Sequence, residues 1–101
     1  MTPKDSELIA QLLQKTKDGT LTWEDSALPN QFVAAVGGKV TFVLDDRGIT
    51  TTLTMRDFLD RDLVHLEGDP RIGELFDIAR RRALRVDETL DEVIQSLRAM
   101  K

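Results

Sequence analysis

Two adjacent glycines constrain this chain more than any other feature. Gly37-Gly38 separates Gln31-Phe32-Val33-Ala34-Ala35-Val36 from Lys39-Val40-Thr41-Phe42-Val43-Leu44, two β-prone runs. A glycine pair between such runs is a hairpin signature, because the turns that match strand twist need positive φ. A two-residue loop sets Val36 opposite Lys39, Ala35 opposite Val40 and Val33 opposite Phe42. A second turn follows at Asp45-Asp46-Arg47-Gly48, where Gly48 can take the left-handed position. Ile49 to Met55 then reads as a third strand. A loop of even length puts Ile49, Leu53 and Met55 on the side of Val40, Phe42 and Leu44, and burial of one face selects that register. The expected core face is Val33, Ala35, Val40, Phe42, Leu44, Ile49, Leu53 and Met55. The other face carries Phe32, Ala34, Val36, Thr41, Val43, Thr50, Thr52 and Thr54.

Helices flank this meander. Thr2 is a natural cap, Pro3 suits a first helical position, and Asp5 favours the positive end of the dipole. Leu8, Ile9, Leu12, Leu13 and Thr16 recur on one face up to Lys17, with Gly19 as a left-handed stop. The predicted helix spans about residues 3–17. Leu21 and Trp23 alternate with threonines and read as a short edge strand. Glu24 to Asn30, with Pro29, reads as a loop. Arg56 to Asp69 mixes Phe58, Leu59, Leu63, Val64 and Leu66 with many acids, and predicts a helical turn followed by an irregular link.

Asp69-Pro70 is a helix start. From there Ile72, Phe76, Ala79, Ala83, Val86, Leu90, Val93, Leu97 and Met100 alternate spacings of four and three, a heptad stripe. One straight helix over this span would reach ~45 Å, against a radius of gyration near ~13 Å for a compact chain of this size. The charges suggest a break. Arg80, Arg81, Arg82 and Arg85 precede Asp87, Glu88, Asp91 and Glu92. Basic residues favour a helix C-terminus and acidic ones an N-terminus, so one helix ends near Arg85 and another begins at Asp87. The rival is a continuous helix that pairs with a copy of itself.

The expected architecture is a single α+β domain over residues 1–101. It has an N-terminal helix, a three- to four-stranded antiparallel meander, and a C-terminal helix pair packed on one sheet face. Length allows one core, burying on the order of 65% of the unfolded surface. Hydrophobic residues at 41% and charged residues at 32% fit a folded globular protein rather than a disordered chain.

Most chemistry finds no foothold. The absence of cysteine removes disulfides, thiolate catalysis and cysteine metal sites, and it fits a reducing compartment. Met1-Thr2-Pro3-Lys4-Asp5 has no apolar stretch behind a basic start, and the longest apolar run, Phe32 to Val36, is too short for a bilayer. The expectation is a cytoplasmic protein with no membrane contact and no cofactor. Gly38-Lys39 is not a phosphate loop, because Val33 stands where the first glycine belongs and Val40 where the hydroxyl does. No Gly-x-Ser-x-Gly elbow surrounds Ser6, Ser26 or Ser96. Asp60, Asp62 and His65, the sole histidine, could suggest a metal-assisted enzyme. His65 occupies the place where a calcium loop needs glycine, and no second histidine completes a zinc site. The bland reading is a solvated acidic link.

Arg80, Arg81, Arg82 and Arg85 invite a nucleic-acid-binding regulator. Yet consecutive arginines fan through about 200° of a helix, acidic residues follow at once, and the net charge is −4. The favoured reading is a non-enzymatic interaction or regulatory module that self-associates or binds a protein partner. Its candidate surfaces are Phe32, Val36 and Val43 on the second sheet face, the arginine group, and the C-terminal stripe.

Two stretches carry a resemblance. Leu12-Leu13-Gln14-Lys15-Thr16-Lys17-Asp18-Gly19-Thr20-Leu21-Thr22-Trp23 resembles the opening of a group of small uncharacterised bacterial proteins with a helix, Thr-Lys-x-Gly and Leu-x-Trp. Leu75-Phe76-Asp77-Ile78-Ala79-Arg80-Arg81-Arg82-Ala83-Leu84 resembles their C-terminal helix, as does Val86-Asp87 followed by Leu90-Asp91. Members often carry glycine where this chain has Arg85, which implies a helix break there. The resemblance implies no active site.

Overall fold

A computed structural model describes residues 1–100. The first helix, α1, spans Pro3–Lys17. Thr2 and Asp5 form a capping box at its start: the Asp5 N–H donates to Thr2 Oγ1 and the Thr2 N–H donates to Asp5 Oδ2. After it, Gly19 takes φ +85°, the left-handed geometry expected of a helix stop.

Five strands follow as an antiparallel meander in sequence order: β1 Glu24–Asp25, β2 Gln31–Val36, β3 Val40–Asp46, β4 Thr51–Asp57 and β5 Asp62–Glu67. The chain is α+β, with five strands rather than three or four. The short edge strand falls at Glu24–Asp25 instead of Leu21–Trp23. The segment expected to be a helical turn and irregular link instead holds β5, joined to β4 by a tight turn with Asp60 at φ +65°.

The β2–β3 hairpin corrects the expected register. Both Gly37 and Gly38 have positive φ, as the turn requires. Lys39 also belongs to the loop, so Val36 pairs with Val40, Ala34 with Phe42 and Val33 with Val43. A one-residue slip moves every side chain of β2 to the opposite face. Phe32 and Ala34 therefore enter the core, and Val33 and Ala35 leave it. The exchange buries the larger ring of Phe32, which stabilises more than burying Val33 would. The even β3–β4 loop holds, since Phe42 pairs with Met55 and Leu44 with Leu53. Ile49 lies in that loop and is 99% exposed, outside the core face assigned to it.

Two cross-strand rows build the core side of the sheet. One is Ala34–Phe42–Met55–Val64 and the other is Phe32–Leu44–Leu53–Leu66. Helices α1 and α2 (Pro70–Ala83) cover this face with Ile9, Leu12, Ile72, Leu75, Phe76 and Ala79. Phe76 meets Phe32 edge to face, with ring centres 5.5 Å apart. Ser6 and Lys17 of α1 meet Arg71 and Arg82 of α2, so the two helices run side by side in one direction.

Trp23 closes the core beneath α1. Its indole N–H donates to Thr16 Oγ1 at 2.9 Å, and both residues are buried. Thr16→Val keeps the shape but leaves the indole N–H without an acceptor. A loss of about 1–3 kcal/mol is expected, read as a lower urea midpoint of the fluorescence of this single tryptophan.

Acid sensitivity is written into the caps and turns. Asp69 caps α2 and is held below the usual 3.8, first by the Arg71 side chain and then by the Arg71 N–H. Asp57 braces the β4–β5 turn and is lowered first by the Arg61 N–H. Asp5 is lowered first by the Thr2 N–H. A carboxyl whose folded pKa lies below its unfolded value stabilises the fold above the unfolded value. That contribution disappears as pH falls through the folded one. Stability should therefore decline on acidification below 3.8. The denaturant midpoint of Asp69→Asn should fall less steeply over that range than that of the parent.

The last helix, α3, spans Val86–Ala99. The break lies where the charges change sign. Arg85 sits between the helices in the left-handed conformation, φ 53° and ψ 45°. The expected pair of helices packed on one sheet face is corrected in part: α2 packs there, whereas α3 packs chiefly against α2 and projects from the body. The radius of gyration, 15.6 Å, exceeds the ~13 Å of a compact chain this long. The molecule measures 56 × 26 × 26 Å.

Candidate interaction surface

The heptad stripe is one pattern serving two environments. Its first part, Ile72, Phe76 and Ala79, is buried on the sheet. Its second part has nothing over it. Every residue from Asp87 to Met100 is exposed, and α3 has no buried side chain. Leu90, Val93, Ile94, Leu97 and Met100 are 44–72% exposed. At about 100° per residue they occupy an arc of about 120°, the width of a stripe made for packing.

The hinge is tied locally. Arg81 donates to Asp87 across it at 2.8 Å, which raises the Arg81 pKa. Thr89 Oγ1 donates to the Arg85 carbonyl, and Arg85 lies 3.6 Å from Glu88. Arg82 donates to the Lys17 carbonyl at 2.8 Å. Thus Arg81, Arg82 and Arg85 serve three separate local contacts, and Arg80 is exposed on α2. They do not form one basic face.

The trio Phe32, Val36 and Val43 is not brought together. Phe32 is 2% exposed under α2, because the hairpin slip turns it inward. Val36 points to the same side and is 39% exposed at the hairpin end. It borders an apolar hollow of about 460 Å³ with Leu8, Leu12 and Leu21. Val43 faces the other side and is 5% exposed among polar neighbours. Phe58 and Leu63 do not cover that patch: both are more than half exposed at the β4–β5 end.

That other sheet face carries no helix. Its rows read Val33–Val43–Thr54–His65 and Gln31–Asp45–Thr52–Glu67. All of these except Val33 line a hollow of about 350 Å³. Thr54 Oγ1 and His65 Nδ1 share a hydrogen bond of 3.0 Å, and His65 Nε2 lies 3.7 Å from Glu67. Sequence reading did not anticipate this pairing, since it depends on the unforeseen strand β5. Asp62 is engaged by Arg56 at 2.8 Å, and Asp60 sits in the turn. Among the described residues no three His, Asp or Glu side chains converge as metal ligands, so Asp60, Asp62 and His65 do not form a centre. No helix among the described residues is long and apolar enough to cross a membrane.

No protein-family model matches the chain, and no similar curated protein or solved structure was found.

Proposed function

We propose that this chain is a non-enzymatic protein-interaction module, regulatory in role, whose docking element is α3. One observation carries the reading: an amphipathic four-turn helix stands away from its own body with its apolar stripe bare. A helix of this length is marginal in water by itself, because most helical stability comes from packing an apolar face. Packing against a protein surface would supply what the sheet does not. Cytoplasmic residence and a place in the bacterial group that the chain resembles belong to the same proposal.

The arginines serve this reading as hinge and helix-end contacts rather than as a nucleic-acid surface. The chain's net charge of −4 works in the same direction.

Hydrogen exchange tests the reading. In the dilute chain the amides of Asp87 to Met100 should exchange rapidly. They should become protected when a partner protein is added or the chain is concentrated. Slow exchange of these amides in the dilute monomer would show α3 docked on its own body, and the reading would fall.

A further inference from the structure

We infer that the surface covering α3 is the α3 of a second copy of this chain, laid antiparallel across a twofold axis. The inference rests on the interaction reading above and names its partner. At about 100° per residue, Asp87, Asp91 and Arg98 lie within about 40° of one another, on the flank beside Ile94. The other flank holds Thr89 and Ser96, which carry no charge. One flank is therefore acidic towards its start and basic towards its end.

Antiparallel pairing about a twofold axis sets each flank against itself, running in reverse. With Val93 of one copy beside Ile94 of the other, Leu90 meets Leu97 of the second copy. Arg98 then comes level with Thr89 of the second copy, between its Asp87 and Asp91. The pairing is made twice by symmetry. Asp91 and Arg98 have no ion-pair partner within the chain among the described residues, while Asp87 already holds Arg81. A parallel pair would instead face Arg98 with the uncharged Thr89–Ser96 flank.

The body gives an independent reason. Paired helices lie about 8–10 Å apart, and each body is attached at the start of α3 with a width of 26 Å. A parallel pair puts both bodies at one end of the seam. An antiparallel pair separates their attachment points by about the helix length, ~21 Å.

The absence of native cysteine makes engineered thiols a clean test. Thr89→Cys and Ser96→Cys are prepared as single variants and oxidised alone and as an equimolar mixture. Covalent dimer should form in the mixture and be nearly absent from either variant alone. Mass measured by light scattering should double as the parent is concentrated. Arg98→Asp should weaken that doubling at least tenfold in concentration, and Arg98→Asp combined with Asp91→Arg should restore it. A mixture that forms no more covalent dimer than either variant alone would mean that the two Thr89–Ser96 flanks do not meet, as in a parallel pair, and would overturn the inference. A strict monomer with rapidly exchanging α3 amides would also overturn it, leaving α3 for a different protein. Slow exchange of α3 in that monomer would overturn the interaction reading itself.

Discussion

Phe32→Ala should remove about 3–5 kcal/mol of folding stability, while Val33→Ala should remove about 1 kcal/mol or less. The ring of Phe32 lies between the sheet and α2, against Phe76, in a row with Leu44, Leu53 and Leu66. Its loss combines the transfer energy of an aromatic side chain with a cavity that three strands and a helix cannot close. Val33 sits one residue away on the face without a helix and is only partly buried. A chain of this size is stable by about 5–15 kcal/mol, so Phe32→Ala removes a large share of the total. Urea titrations of both variants, followed by circular dichroism, measure the contrast. In the two-residue register the order would reverse, with Val33 as the core residue.

That contrast also marks where sequence reading reached its limit. The hairpin was legible in Gly37-Gly38, since both glycines take the positive φ that a tight turn demands. Its register was not, because inclusion of Lys39 in the loop depends on which face α1 and α2 cover. Phe32 and Val33 offer an apolar residue to either side, so local alternation could not decide. Burial of the larger side chain decided it. Strand β5 was obscured in a different way. Val64 and Leu66 alternate with His65 and Glu67 as a half-buried strand does. The acids around them and the turn at Asp60 hid that period.

Where signals were local and reinforced one another, they held. Helix α1 occupies the residues that Thr2, Pro3, Asp5 and the apolar spacing indicate. Asp69-Pro70 begins α2. The reversal from arginines to acids marks the break at Arg85, and the Arg81–Asp87 pair shows the same charges meeting across it. The stripe itself was plain, but no periodicity says what an apolar face will meet. From Ile72 to Ala79 it meets the sheet. From Leu90 onward the chain has turned away from the body, and that depends on the conformation of a single residue, Arg85.

Replacing both Leu90 and Leu97 by Asp should abolish association through α3 while changing the dilute chain's stability by no more than about 0.5 kcal/mol. Neither leucine is buried by the chain's own body, so the fold loses little when they become polar. In a paired α3 the same change places charged carboxylates inside an apolar seam. There the desolvation of each is uncompensated, and the effect on association exceeds 100-fold. The control lies on the same stripe: Ile72→Ala, whose side chain is fully buried, should cost about 2–5 kcal/mol of stability. Sedimentation across a concentration series, with thermal melts of the same samples, separates the two halves. The Leu90–Leu97 variant should sediment as an 11.4 kDa monomer with an unchanged melt at low concentration. A lowered melt in dilute solution would mean that α3 packs on its own body, and that the second half of the stripe belongs to the same core as the first.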